Sequence, residues 1–128
     1  MRDNRPSDEP CGIRLMRLVD TRLMEIVRRE QDNINSIHLY GTGEYWAGFE
    51  QSAYLLCRLF KAPAISVLTH PDYPFPVVMA SIPDSELNAY VRRHPLKHDD
   101  AEYKQLIATE ISAAQYSRWH RNEIQQFL

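Results

Sequence analysis

Between residues 36 and 83 the chain carries only two basic residues, Arg58 and Lys61, and three acidic ones, Glu44, Glu50 and Asp72. The segments on either side are much denser in charge. Charged side chains are almost never fully buried without a partner, so this middle stretch has to supply most of the core. The outer thirds are then expected to be covering helices. With 128 residues and 44% hydrophobic content, one core closes and a single domain is expected.

Residues 1 to 12 are polar and punctuated by Pro6, Pro10 and Gly12, a composition that buries too little to offset its ordering entropy. A mobile N-terminal tail over 1–12 and a globular domain over 13–128 are expected. From Leu15 onward, Leu18, Val19, Leu23, Ile26 and Val27 recur at helical spacing and predict a first amphipathic helix. Ser36 to Tyr40 alternates as a strand does. Gly41-Thr42-Gly43 breaks it, and the spacing of Trp46, Phe49, Ala53, Leu56, Cys57 and Phe60 predicts a helix running to Pro63.

Residues 64–69 are apolar and β-branched, and 77–82 are their expected hairpin partner across a long, stiff, proline-rich connection over 70–76. Asp84 stands where an N-cap would open a short helix ended by Pro95, and Asp99 with Glu102 resembles a capping box opening a last helix through Tyr103, Leu106, Ile107, Ile111 and Ala114 and on to Trp119 and Phe127. The expected fold class is therefore α+β in the order α-β-α-β-β-α-α. It has a small mixed three-stranded sheet, in which a right-handed βαβ unit makes the first two strands parallel and a hairpin adds the third.

In such a unit ligands bind beyond the carboxyl ends of the parallel strands. The turn 41–44 and the loop 69–76 would converge there, so the expected ligand-site rim is Thr42, Gly43, Glu44, Tyr45, Thr69, His70, Asp72 and Tyr73. The Gly41-Thr42-Gly43 turn is a poor phosphate loop, since Trp46 stands where a third glycine is needed and no lysine follows. A tight turn that caps the helix explains it better. His70 and Asp72 could form an imidazole oriented by a carboxylate, but a local turn uses the same residues and no nucleophile is nearby in sequence. Tyr73 and Phe75 in the proline-bounded loop suit a lid over the core as well as a binding surface.

His94 and His98 have the i, i+4 spacing of a helical metal pair and precede Asp99 and Asp100, but Pro95 keeps both histidines from sharing one helix. No metal and no cofactor is implied. Cys57 falls on an apolar helix stripe, as inert packing, and Cys11 has no activating neighbour. Two cysteines make no disulfide scaffold, and the first ten residues lack the apolar segment of a signal peptide, so a soluble cytoplasmic protein is expected. No run approaches a membrane span.

A formal net charge of -2 and a pI near 6.2 disfavour a general binder of nucleic acid or anionic lipid. The basic clusters Arg22, Arg28, Arg29 and Arg92, Arg93, Lys97 are interleaved with acids, as solvated helix faces are. The function expected is a non-catalytic binding or protein-interaction module, with a protein partner or a second copy held through the terminal helices. The alternative is a small hydrolase or transferase with His70 as base, Asp72 as its orienter and the Thr42–Glu44 turn as a source of backbone donors. A third reading is a nucleic-acid accessory protein using the arginines of the first helix.

Overall fold

Trp46-Ala47-Gly48-Phe49 is buried on both faces of its backbone, with Trp46 in one apolar cluster and Ala47 and Phe49 in another. That two-sided burial is what a central strand requires, and it decides the architecture. The computed structural model describes residues 11–127. In chain order these form α1 (Cys11–Gln31), β1 (Ser36–Gly41), β2 (Tyr45–Phe49), α2 (Gln51–Leu59), β3 (Ala64–His70), β4 (Tyr73–Pro83), α3 (Asp84–Val91), β5 (His98–Asp99), β6 (Tyr103–Ile107) and α4 (Ala113–Gln126).

The α+β class stands, but the sheet has six strands in the order β3-β4-β2-β1-β6-β5, and every pairing is antiparallel. The parallel βαβ unit does not form. Residues 45–49, expected as the start of a helix, return as a hairpin partner of β1 through the pairs Tyr40↔Ala47 and Gly41↔Trp46. Only Gln51–Leu59 is helical. The helix expected from Asp99 is also corrected: Tyr103–Ile107 pairs with all of Ser36–Tyr40, and the helix begins at Ala113. Strand alternation there sets Leu106 into the core and leaves Ile107 exposed.

The β3–β4 hairpin forms as expected, but its connection is short. Strand β4 begins at Tyr73, and Pro74 and Pro76 lie inside it, beyond the end of β2 and beside a bulge in β3, where no ladder N–H is required of them. Of the expected tail, residues 1–10 lie outside the described residues, while Cys11 and Gly12 already belong to α1.

Alternation along the strands builds two cores. Ile37, Leu39, Trp46, Ala80, Ile82 and Leu106 face α2, α3 and α4, while Tyr40, Ala47, Phe49, Val77 and Met79 face Leu23, Ile26 and Val27 of α1. Trp46 donates its indole N–H to Asp84 at 2.7 Å, which ties β2 to the start of α3. Among the described residues no helix is long and apolar enough to cross a membrane.

Candidate functional site

Strand β2 leaves the sheet at Glu50, the one described non-glycine residue with positive φ (φ 53, ψ −117). Such a conformation costs on the order of 1–3 kcal/mol and persists only where the surroundings impose it. Here they do. Glu50 N–H donates to the Val78 carbonyl at 2.8 Å, and its Oε1 accepts from Val78 N–H at 2.9 Å and from His120 Nε2 at 2.8 Å. Two residues before and after it stand Gly48 and Ser52, packed so closely that a Cβ on Gly48 would lie 3.3 Å from Ser52. The turn is a strand-to-helix elbow with small residues on both flanks.

Because β2 departs, its neighbours are left with unpaired backbone donors. Val78 N–H of β4 finds the Glu50 carboxylate, and His38 N–H of β1 finds Ser52 Oγ at 2.9 Å. Ser52 Oγ in turn donates to Glu30 Oε2 at 2.6 Å, and Ser52 N–H donates to Glu30 Oε1 at 2.9 Å. Glu30 therefore occupies the N-terminal turn of α2, where helix amides lack intrahelical partners. Asn33 adds a hydrogen bond to Glu30 Oε1 at 2.9 Å and closes the α1–β1 turn on Ser36.

The Glu30 carboxyl is fully buried, and burial pushes its pKa up to about 7 against the opposing hydrogen bonds from Asn33 and Ser52, with the Glu50 charge adding to the rise. His38 is shifted the other way, down to about 4, by burial and then by the Arg29 charge, and its Nδ1 lies 2.7 Å from the Tyr103 hydroxyl. Above the elbow lies α4, opened by a Ser112 cap that accepts from Gln115 N–H. Tyr116 and Trp119 pack on Tyr54, and Tyr116 lies beside His120. Burial raises the Tyr116 phenol, with Glu50 the largest charge contribution, so it stays neutral.

A carboxylate that orients an imidazole is a general-base arrangement. Glu50, Ser52 and Glu30 are, however, engaged with backbone N–H groups of the elbow and its neighbouring strands, and Ser52 is fully buried. The His120 side chain, 22% exposed, is the member that meets solvent most, with Glu50 at 11%. The cluster holds strands and helices together.

The expected rim is divided. The turn holding Thr42, Gly43, Glu44 and Tyr45 lies beside Pro83 and Asp84, at the end of β4, whereas His70, Asp72 and Tyr73 lie at its start. Ten residue steps along a strand separate the two by roughly 30 Å. Antiparallel strands send consecutive turns to opposite ends of a sheet, which is why the convergence fails. Thr42 makes a tight turn, its N–H donating to the Tyr45 carbonyl at 3.0 Å. His70 faces Asp20 of α1 at 3.1 Å and accepts from Asp72 N–H. Tyr73 folds onto the α1-side core, while Phe75 remains 62% exposed.

His94 stacks on Tyr90 and His98 pairs with Asp100 at 3.2 Å, and no metal-binding cluster occurs among the described residues. Cys57 is half-buried, its thiol pushed up to about 11 by burial. No family model, curated protein or solved structure matches the chain.

Sequence reasoning missed Glu30, Glu50, Ser52 and His120. The string Gly48-Phe49-Glu50-Gln51-Ser52 carries the elbow pattern, but it becomes visible only if 45–49 is read as a strand. Glu30 and His120 lie 22 and 70 residues from their partners, and no local pattern reports that pairing.

The two sheet edges differ sharply. Strand β5 has two residues, includes Asp99 and is flanked by Lys97 and Asp100, a short and charged edge that resists further pairing. Strand β3 has seven residues, and Ala64 to Thr69 carries no charge and no proline. At its start an apolar groove of about 300 Å³ opens between Leu15 of α1 and Tyr45, Ala47, Ala64 and Met79 of the sheet.

Proposed function

We propose that this chain is a non-catalytic interaction module that pairs with a second copy of itself through the outer edge of β3. The observation that carries the reading is the long, uncharged β3 edge beside a blunted opposite edge. A free strand edge is a row of unpaired N–H and C=O groups, and proteins that must stay monomeric guard it with charge, proline or a cover. Two antiparallel copies about a two-fold axis near Val67 would set Ile65 against Thr69 and Ser66 against Leu68, with no like charges in register.

A second copy suits this edge better than the terminal helices expected from sequence, because α1 and α4 lay their apolar stripes onto the sheet. Exposed Phe75, next to the bulge at His70, lies at the end of the edge and extends the contact. A strand-edge contact of this length is small, so the dimer is concentration dependent. The hydrolase or transferase reading needs His70, Asp72 and the Thr42–Glu44 turn in one place, and the sheet holds them apart.

Sedimentation equilibrium across a broad concentration range tests the proposal. The expected result is a rising fraction of dimer, abolished by Ser66→Lys, which places a cation at an exposed position of the edge without touching the core. A monomer at every concentration, or a dimer indifferent to Ser66→Lys, overturns it.

A further inference from the structure

Helix α4 sits on the fold differently from the other three. Helix α1 buries Leu23, Ile26 and Val27, α2 buries Ala53, Leu55 and Leu56, and α3 buries Leu87, whereas no residue of Ala113–Gln126 is fully buried. Its inner face is a stripe at i, i+3, i+4, i+7 and i+8, formed by Tyr116, Trp119, His120, Glu123 and Ile124, each only half-buried. The helix also hangs from one end. Ala108 N–H donates to the Asn35 carbonyl at 2.8 Å and Ile111 N–H to the Ile34 carbonyl at 2.7 Å, and beyond Ile111 no backbone hydrogen bond joins α4 to another element among the described residues. Ser112 caps α4 with its own side chain, so that helix end is satisfied without help from the body.

The surface beneath α4 is held in place by contacts that do not involve it. Tyr54 of α2 takes the Tyr116 ring edge-on at 5.7 Å and the Trp119 ring at 5.3 Å between centroids, and its hydroxyl accepts from Arg58 Nη1 at 2.9 Å. One helical turn earlier, Glu50 Oε1 meets His120 Nε2 at 2.8 Å while it accepts from Val78 N–H at 2.9 Å. Lifting α4 breaks the His120 contact yet leaves Glu50 with its sheet partner and Tyr54 with Arg58. The other hydrogen bond from the body to α4, Arg58 to Gln115, is 3.4 Å long. An element that buries no side chain completely and is tied by one short polar contact opens separately from the core.

We propose that α4 is a lid that occupies, in cis, a docking site for an amphipathic helix of a partner protein, one that presents two aromatic side chains a turn apart and a basic side chain next to the second. Tyr54 receives the aromatics, as it now receives Tyr116 and Trp119. The Glu50 carboxylate receives the basic group, and its charge, set in a buried elbow, selects a charged donor over a neutral one. His120 is the latch, and the fraction of open lid scales the apparent affinity for the incoming helix. Helix-in-groove docking of this kind uses the same i, i+3, i+4 anchors that α4 itself supplies. The inference does not rest on the β3 pairing, which uses another element.

A fluorescently labelled synthetic peptide with the sequence of residues 112–127, titrated into the full chain and read by anisotropy, tests the proposal. The expected result is saturable binding that tightens about tenfold when the chain carries His120→Gln, because losing the latch raises the open fraction. The same substitution in the peptide is expected to weaken binding about tenfold, because Glu50 loses its basic donor. A peptide that binds neither chain, or affinities that the two substitutions leave unchanged or shift in the same direction, overturn it. Amide hydrogen exchange of the parent chain decides the matter even if His120→Gln unfolds. Residues 113–126 should exchange as a group at least about a hundredfold faster than β2 and β4, and a common rate for all three overturns the lid. A dimer that survives Ser66→Lys and carries exchanged α4 helices would assign the site to a second copy and overturn the partner helix.

Discussion

Replacing Glu30 with Gln should make the protein more stable at neutral and alkaline pH, although it removes a buried carboxyl that makes three hydrogen bonds. Burial raises this group from 4.5 to about 7. An acid with a raised folded-state pKa holds its proton in the native state after the unfolded chain has released it. Its contribution is therefore fully present below about 4.5, falls as pH rises, and is gone above about 7. At about 1.4 kcal/mol per unit, the loss across that window is on the order of 3 kcal/mol. Gln mimics the protonated acid: its carbonyl accepts from Ser52 N–H and Asn33, and its amide faces Ser52 Oγ.

His38 works in the opposite sense. Its lowered pKa means that stability is present above about 6.5 and is lost as pH falls toward about 4. Between 4.5 and 6.5 the two slopes oppose, so the parent protein shows a flattened profile that hides both. Urea denaturation of parent and Glu30→Gln in parallel removes this masking, because groups shared by both proteins cancel in the difference. The stability of Glu30→Gln relative to the parent should rise by about 3 kcal/mol from pH 4.5 to pH 8. Parallel profiles, or a difference that shrinks with pH, would refute the reasoning that burial dominates the Glu30 site.

The remaining predictions concern the elbow. Glu50→Ala leaves Val78 N–H without its acceptor and keeps the positive φ, so chemical denaturation should show a loss of about 2–4 kcal/mol, while Glu50→Gly should lose about 1 kcal/mol less because glycine accepts that conformation. Equal losses would mean that the backbone there is unstrained. Gly48→Ala pushes a Cβ to 3.3 Å from Ser52 and should lower stability by about 1–3 kcal/mol, read from the shift in thermal midpoint. An unchanged midpoint would show that α2 yields freely.

How much of this was legible in the sequence depends on which interactions fix each element. The stripe of α1 and the β-branched run 64–69 with its partner are local signals, and both elements form. Trp46, Phe49, Ala53 and Leu56 fall at helical spacing by coincidence, since a strand buried on both faces followed by a helix gives the same sequence of apolar residues. Asp99 and Glu102 resemble a cap, but β1 offers Tyr103–Ile107 a full set of ladder partners, and tertiary pairing overrides propensity. The expected rim failed with the topology on which it depended. The elbow cluster was hidden for another reason, that its partners come from α1, β4 and α4 and meet only in the folded chain.

The central functional claim is that the β3 edge is a pairing surface, and amide hydrogen exchange as a function of protein concentration tests it most directly. Protection at residues 64–69 should increase as concentration rises, while the amides of β5 and β6 at the other edge stay constant. Exchange over 64–69 that is independent of concentration would contradict the account.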